Sequence, residues 1–469
     1  MKKKISAALL ISLLAATRVN AADPTVESVS ASIDMMWVMF GAVLVFLMHA
    51  GFAMVETGFT RSKNSLNILM KNMLTVAVSS VLYFVVGFAL MFGSSKGGFI
   101  GSSGFFLNGE SDQMSFFVFQ IVFAATCATI ISGALAERMK LSSYMMLTIA
   151  MVAVIYPVAG HWVWGEGWLS KLGFVDFAGS TVVHLTGALG AAVAVTFLGA
   201  RLGKYGSDGK VNAIQGHNIP LGALGVFILW FGWFGWFGFN GGSTLTADPA
   251  LVPGIIATTL MSGSCGVLSS ALYTKFRYKR IDASLTLNGA LAGLVGITAG
   301  TANVSIPGAI VIGLIAGIIL VEAVHFINSK MKLDDPVGAI TVHGICGIWG
   351  TLAVGLFDTA NGLFYGGGVQ LLGIKALGII AVMGWTIGTV GLFLFVLTRF
   401  SSIRVSSEEE IAGLDFAGHG SSAYEFRESF VATGDGNLHP EFGVGLIDRL
   451  NKVGKVSDKP HISNVNETV

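Results

Sequence analysis

The chain has 469 residues, of which 53% are hydrophobic and only 12% are charged. A soluble domain has about 25% charged residues, so the composition excludes an ordinary soluble domain. It predicts instead an all-α integral membrane protein that lies in a lipid bilayer. The formal net charge of +1 gives no indication of a nucleic-acid partner.

Residues 1–21 have the pattern of a secretory signal peptide. Lys2, Lys3 and Lys4 form a basic start, and residues 7–16 form an apolar core that is too short to span a membrane. Small residues occupy the expected cleavage positions up to Ala21. We therefore expect the mature chain to begin near Ala22, outside the cytoplasm.

Eleven apolar stretches follow, and each is long enough to cross a hydrocarbon core of about 30 Å. They predict eleven transmembrane helices within a membrane domain at residues 22–400. Their approximate extents are 34–58, 70–92, 114–136, 143–161, 179–200, 219–240, 251–273, 284–302, 307–328, 338–357 and 372–398.

The charges between these stretches predict an orientation. Counted from an outer amino terminus, sixteen lysines and arginines fall on the cytoplasmic side, and only Lys96, Lys171 and, marginally, Lys375 fall outside. Such an excess is the positive-inside pattern, which places the amino terminus outside and the carboxyl terminus in the cytoplasm. The sixteen are Arg61, Lys63, Lys71, Arg138, Lys140, Arg201, Lys204, Lys210, Lys275, Arg277, Lys279, Arg280, Lys330, Lys332, Arg399 and Arg404.

A nine-residue pattern occurs twice, in the fifth and the tenth apolar stretches. DFAGSTVVH ends at His184, DPVGAITVH ends at His343, and both read Asp-x-x-Gly-x-x-x-Val-His. Five is an odd number of crossings, so stretches 1–5 and 6–10 are predicted to be oppositely oriented repeats, with the eleventh helix left over. A histidine in lipid is costly, so both are expected to face the interior of the bundle.

The repeated residues allow several interpretations. His184 and His343 are either helix-packing residues bonded to backbone carbonyls or a pair that meets in mid-bilayer and shares a proton. A metal site is the weaker alternative, because no cysteine or carboxylate completes a set of ligands. Asp335 is best interpreted as a helix cap, whereas Asp176, on the outer side, is either a cap or an attractor of cations.

Aromatic residues collect at the predicted outer side of the membrane. The string WFGWFGFNGGS, residues 233–243, ends the sixth stretch, and alone it is typical of interfacial anchors. Trp164 and Phe123 are predicted at a similar depth, however. Together with Phe239 and the Ser243 hydroxyl they predict a cation-binding cup, since aromatic faces attract cations.

We find no sign of an enzyme or of a bound cofactor. The sequence has no P-loop, dinucleotide-binding fingerprint, HExxH or suitably placed GxSxG. Cys127, Cys265 and Cys346 lie in apolar stretches without CxxC spacing, so neither a disulfide framework nor a zinc site is supported.

Several of these strings resemble motifs of the Amt/Mep/Rh ammonium transporters, and specifically of their bacterial Amt branch. They are DFAGSTVVH, DDPVGAITVHGICGIWG, HWVWGEGW, WFGFNGGS, the Phe-x-x-x-Phe before GALAER, and EEEIAGLDFAGHGSSAYEF in the tail. The resemblance extends from about Asp34 to about Glu425.

The resemblance implies eleven membrane helices per subunit, a homotrimer and one pore in each subunit. It assigns Trp164, Phe123 and Ser243 to an outer ammonium recruitment site that Asp176 supports. It assigns Phe123 and Phe239 to a stacked gate. His184 and His343 match the twin pore histidines.

Residues 401–469 are predicted to be a cytoplasmic regulatory tail. The resemblance implies that its motif couples subunits and is the target of a PII-type signalling protein, whereas a merely solvated tail is the alternative. The motif residues are Gly413, Leu414, Asp415, His419, Gly420 and Tyr424.

The sequence therefore predicts an ammonium transporter or channel of the bacterial inner membrane, which moves ammonium or ammonia and takes methylammonium as an analogue. Two alternatives remain. An ammonium sensor with secondary transport would need an output domain, which is not visible in the 469 residues. A channel for another small solute, such as water, would not need the outer aromatic cup.

Overall fold

The computed structural model describes residues 25–109, 111–230, 235–424, 430–432 and 438–440. The predicted signal peptide, residues 1–21, lies outside this part of the chain, as do Trp233 and Phe234 of the aromatic string. Within the described residues the fold is helical, with two short antiparallel β pairs in which β1 pairs with β2 and β3 with β4.

The α-helices in chain order are α1 Val26–Phe59, α2 Ser65–Leu82, α3 Phe88–Phe92, α4 Met114–Ala134, α5 Leu141–Ala150, α6 Tyr156–Trp164, α7 Trp168–Lys171, α8 Thr186–Leu198, α9 Ile219–Trp230, α10 Val252–Tyr278, α11 Ala283–Thr298, α12 Ile306–Ser329, α13 Cys346–Phe357, α14 Gln370–Phe400, α15 Ser407–Ala412 and α16 Leu414–His419. The strands are β1 Ser95–Lys96, β2 Ile100–Gly101, β3 Phe430–Ala432 and β4 Leu438–Pro440.

In the part of the chain that the structure describes, five wider turns of π-helix interrupt or precede these helices. They are Tyr83–Gly87, Met151–Ile155, Ser180–Leu185, Phe237–Gly241 and Ile340–Ile345. Single π turns inside α-helices are often found at functional sites. Two of the five contain the repeated histidines, so these two π turns are candidates for a functional site.

The apolar stretches of the sequence coincide with helices. Among the described residues, nine helical runs are long and apolar enough to cross a membrane. The other two predicted stretches coincide with the shorter apolar helices α9 and α11, and α9 ends at Trp230, where the description is interrupted. The multi-pass helical architecture is thus confirmed.

Helix α1 begins earlier than hydropathy predicts. It starts at Val26 rather than near residue 34, because the Thr25 hydroxyl caps its first turn by accepting a hydrogen bond from the Ser28 amide at 3.2 Å. Its 34 residues are about 50 Å long, which exceeds the hydrocarbon core by several turns. The exposed first turns therefore extend beyond the apolar layer.

Two lysines do not lie in the loops to which we assigned them. Lys71 is buried within α2 and donates a hydrogen bond to the Ser132 carbonyl at 2.8 Å. Lys375 is buried within α14 and donates to the Val175 carbonyl. Both lie just inside the predicted stretches 70–92 and 372–398, but we counted them as loop charges because the sequence does not show that their ammonium groups are satisfied inside the bundle.

Small residues allow close packing of α10, α11 and α12. A methyl group on Gly313 would lie 2.2 Å from the Ser262 carbonyl oxygen, and one on Gly266 would lie 2.2 Å from the Gly289 carbonyl oxygen. Backbones that approach this closely are typical of membrane helices, whose association depends on van der Waals packing.

Candidate functional site

The two repeated histidines meet inside the bundle. His184 Nδ1 and His343 Nδ1 are 3.2 Å apart, and the ring centroids are 5.1 Å apart with an interplanar angle of 23°. Both side chains are buried. Since a neutral imidazole has one donor and one acceptor nitrogen, one ring donates its proton to the other across this contact.

The repeated motif explains why both histidines lie in the same kind of backbone turn. Each lies in a π turn that follows a glycine in the left-handed region, Gly179 with φ +112° and Gly338 with φ +82°. A side chain at Gly179 would also collide with Val183, since an added methyl would lie 2.7 Å from its Cγ2 atom. The glycine of the motif is therefore a requirement of the backbone.

The aspartates of the motif cap these turns. Asp176 accepts hydrogen bonds from the amides of Gly179, Thr181 and Val182 at 2.8–3.1 Å. Asp335 accepts in the same way from the amides of residues 337, 338 and 340 at 2.7–3.3 Å. Both carboxylates are buried. Backbone amides engage both oxygens of each carboxylate, so any contribution of Asp176 to cation binding is indirect.

Aromatic rings form a continuous line that ends at the histidines. The centroid of Trp164 lies 6.2 Å from that of Phe123, which stacks on Phe239 at 4.0 Å and 22°. Phe239 lies 5.5 Å from His184 at 27°. The structure thus places Trp164, Phe123, Phe239, His184 and His343 in one sequence of ring contacts.

Two hydrogen bonds fix the outer end of this line. Trp164 Nε1 donates to the Asp176 carbonyl at 2.7 Å, and the Ser243 hydroxyl donates to the Phe239 carbonyl at 2.8 Å. Because the Ser243 proton is used in this way, its oxygen lone pairs remain available as acceptors. Trp164 and Ser243 are each partly exposed, whereas Phe123 and Phe239 are fully buried.

Sequence reasoning missed two rings that belong to this arrangement. Trp236 stacks on His184 at 5.3 Å and 21°, and its Nε1 donates to Thr298 Oγ1 at 2.8 Å. The ring centroid of Phe52 lies 6.2 Å from that of His343. Trp236 precedes Phe239 by three residues, and that helical spacing is the signal that would have identified it.

The tail packs against the predicted cytoplasmic ends of the helices. The Asn67 amide donates to Asp415 Oδ1 at 2.8 Å, and the Leu414 amide donates to Asn64 Oδ1 at 2.9 Å. His419 Nε2 lies 3.3 Å from Asn67 Nδ2. The tail motif therefore contacts α2 and the turn that precedes it.

Glycines and a second contact complete the docking of the tail. Gly413 has φ +106° and packs on Lys63, whose Nζ donates to the Glu410 carbonyl at 2.6 Å. Gly420 has φ +65° and ends α16. Tyr424 Oη lies 2.9 Å from Nε2 of His217, in the segment between α8 and α9.

The three consecutive acids of the tail, Glu408, Glu409 and Glu410, do not hold it by a general attraction to the basic face of the helices. Glu409 caps its own helix together with Ser406, and Glu408 is exposed. Glu410 is buried, but it pairs with Arg404 of the tail at 2.6 Å and accepts from the Leu202 amide. Backbone hydrogen bonds, rather than general charge attraction, hold the segment.

An ion-pair network lies beside the docked tail. Arg201 donates to both oxygens of Asp334, at 2.8 and 2.9 Å, and also pairs with Glu137, which in turn pairs with Arg61. Burial by itself would raise the pKa of Asp334. The hydrogen bonds and charge of Arg201 outweigh it, however, and lower the pKa to about 2.

Fold and site together define a multi-pass helical membrane protein of the channel and transporter class, with aromatic rings and paired histidines at its centre. The model of the Ammonium Transporter Family matches residues 36–424. The chain therefore belongs to that family.

Individual relatives support this assignment. The chain is 43% identical over 455 residues to "Ammonium transporter Amt2" of Archaeoglobus fulgidus, a match that covers 91% of this chain and 96% of that protein. It is 35% identical to "Ammonium transporter 1 member 1" of Arabidopsis thaliana, over 80% of this chain and 81% of that protein.

Solved structures are similar as well. A "Sensor Amt Protein" superposes with a TM-score of 0.81 at 43% identity, which covers 84% of this chain and all of that chain. Mep2 of Candida albicans superposes with a TM-score of 0.75 at 27% identity, which covers 84% and 93%.

Proposed function

We propose that this protein moves ammonium or ammonia across the bacterial inner membrane through a pore that follows the line of rings. The observation that carries the proposal is the unbroken succession from Trp164 through Phe123 and Phe239 to His184 and His343. The family assignment and the names of its relatives support ammonium as the solute.

Recruitment takes place at the outer end of the line. The indole of Trp164 and the ring of Phe123 offer faces that attract a cation by about 0.5–2 kcal/mol. The Ser243 oxygen accepts a hydrogen bond from the same ammonium ion. Asp176 contributes by fixing Trp164 through its carbonyl and by holding the following turn in place.

The stacked Phe123 and Phe239 form the gate. With centroids only 4.0 Å apart, the two rings leave no space for a hydrated ion, so they must move before a molecule can pass. A bare cation is costly in an apolar channel, and ammonium therefore releases its proton to water on the outer side of this gate. Ammonia then passes His184 and His343, whose imidazoles supply the polar atoms of the pore.

The overall organisation follows from the same proposal. Eleven membrane helices are arranged as two inverted repeats of five plus α14, with the amino terminus outside and the tail in the cytoplasm. Each π turn packs against the helix that follows the other, which supports the repeat. An added methyl on Gly347 of α13 would lie 2.7 Å from the Ser180 carbonyl, and one on Gly344 would lie 3.2 Å from Ala188 Cβ of α8. Three subunits assemble, each with its own pore.

The docked tail gives the protein a means of regulation. Residues 408–424 contact both α2 and the segment between α8 and α9, so a displacement of the tail reaches the inner ends of several helices. A PII-type signalling protein that binds this face would act through those contacts.

Ammonium sensing is the second candidate, and one observation favours it. A solved relative with 43% identity is named a sensor Amt protein. In this case binding at the recruitment site would be signalled through the tail, and transport would be secondary.

Current recordings on purified protein in lipid vesicles test the transport proposal. Pulses of ammonium and of methylammonium should each produce saturable transport. Pulses of sodium and of potassium should give no response. An absence of transport for both amines would contradict the proposal. Binding without transport would instead favour the sensor.

A further inference from the structure

The helix α1 carries a carboxylate that the proposed pathway does not use. Glu56 lies in the last turn of α1, three residues before its end at Phe59, and yet it is only 3% exposed. Ionisable residues inside membrane helices are costly and generally mark ion or substrate pathways. The charge within an otherwise apolar stretch was the signal available in the sequence.

Glu56 lines a small cavity directly next to the histidine pair. The cavity has a volume of about 20 Å³, and its wall includes His343, Phe52, Glu56, Asn288 and Val337. A cavity needs roughly 10–15 Å³ to hold one water molecule, so there is space for a single molecule of the size of water or ammonium. Its wall includes neither His184 nor Phe239.

The carboxylate presents one free oxygen. Oε2 accepts hydrogen bonds from Ser132 Oγ at 2.8 Å and from Asn72 Nδ2 at 3.2 Å, whereas no donor among the described residues bonds to Oε1. Thr129 holds Asn72 in place by donating to its Oδ1 atom at 2.8 Å. The carboxylate is thus anchored on one side and lacks a partner on the other.

A buried lysine offsets the charge of Glu56 without blocking the cavity. Lys71 Nζ donates to the Ser132 carbonyl at 2.8 Å and lies 4.9 Å from the centroid of the Tyr144 ring. It does not contribute to the cavity wall. The positive charge of Lys71 favours the ionised form of the Glu56 carboxylate and so opposes the cost of burying it.

We propose that Glu56 forms an inner binding site for ammonium on the cytoplasmic side of the histidine pair. Ammonia that has passed the pair takes up a proton from cytoplasmic water and is held at Glu56 as the ion before release. Oε1 accepts a charge-assisted hydrogen bond from the ion. The inference rests on the proposed function for the direction of passage, but the existence of the site does not depend on transport.

Transport measured from each side tests the site. In inside-out vesicles, where the cytoplasmic face is presented to labelled methylammonium, Glu56→Gln should raise the apparent KM about tenfold, equivalent to about 1.4 kcal/mol. In right-side-out vesicles the same variant should stay within about twofold of the unchanged protein, since the outer site is intact. Glu322→Gln, on α12 and half-exposed, is the control and should change neither value.

Crystals soaked with thallium(I), a heavy ion of the charge and approximate size of ammonium, test the site independently of transport. Anomalous density beside Glu56 Oε1 that disappears in Glu56→Gln supports the site, and its absence in the unchanged protein overturns it. Glu56→Gln leaves Lys71 without its partner and can therefore fail to fold. In that case the double variant Glu56→Gln/Lys71→Gln, which removes both charges, is used in its place in both experiments. An equal change of KM from both sides would also overturn the proposal, whereas thallium density without transport would overturn the proposed function alone.

Discussion

Asp176 and Asp335 occupy equivalent positions just before two π turns and lie 159 residues apart. In each turn one carboxylate oxygen accepts from the amide three residues ahead, and the other accepts from the amide five residues ahead. In each turn a histidine follows eight residues after the aspartate. A shared cap therefore gives both histidines the same local backbone, and packing brings their Nδ1 atoms to 3.2 Å.

Removing either cap should destabilise the fold. Asp335→Ala leaves several buried amides without acceptors and should cost about 2 kcal/mol or more of unfolding free energy. Asp176→Ala should have a similar effect. Thermal unfolding of the detergent-solubilised protein measures both, with the exposed Asp208→Ala as control. If Asp176→Ala weakened ammonium affinity at unchanged stability, Asp176 would act mainly on the ion and not as a cap.

His184→Ala should alter transport while the protein stays folded. The substitution removes the partner of His343 Nδ1 and leaves a gap between Phe239 and His343, so the rate or the current per transported ammonium should change. Vesicle currents and parallel uptake of labelled methylammonium measure both quantities. Wild-type values in both assays would show that the pair is a packing contact.

Trp164→Leu should weaken the apparent affinity for ammonium by up to about tenfold, since a cation–π contact contributes about 1 kcal/mol. Trp385→Leu is a suitable control, because that indole packs on Trp162 and lies outside the line of pore rings. Concentration series of the transport current provide the affinities. Equal affinities in Trp164→Leu and the unchanged protein would argue against the outer cup.

Removal of the tail should leave an inserted, folded protein with altered activity. Truncation after Ile403 also deletes Arg404, whose guanidinium donates to the carbonyls of Leu198 and Ala200. Truncation after Ser406 keeps those bonds and removes only the docked segment, so it isolates the regulatory contribution. Truncation after about Phe430 should change little.

The tail assay should include a PII-type protein. Transport is measured with and without that protein, and size-exclusion chromatography checks the folding of each variant. The regulatory proposal fails if truncation after Ser406 transports like the full chain and still responds to the PII-type protein.

Asp334→Asn should destabilise the protein at neutral pH. Arg201 lowers the pKa of Asp334 to about 2, below the usual value of about 4 for an aspartate, so its ionisation stabilises the folded state above about pH 4. This contribution decreases as the pH falls from about 4 through about 2. The difference in unfolding midpoint between the unchanged protein and Asp334→Asn, followed from pH 7 to pH 2, should therefore shrink. A constant difference across that range would contradict the ion-pair assignment.

Sequence alone was sufficient for the positions of the membrane helices and for the repeated motif. Lipid offers no hydrogen bonds, so each crossing must satisfy its backbone internally, and its length and hydropathy are visible locally. The motif is likewise local, since Asp176 and Gly179 act within one turn. For the same reason the expected cap at Asp335 could be argued without tertiary contacts.

Tertiary structure decided which of these residues meet. The contact of His184 with His343, the stacking of Phe123 on Phe239 and the docking of Asp415 on Asn67 each join residues more than one hundred positions apart. Such contacts depend on how helices pack, which hydropathy does not record. The burial of Lys71 near Glu56 was missed for this reason, since we counted Lys71 as a loop charge although its ammonium group is satisfied inside the bundle.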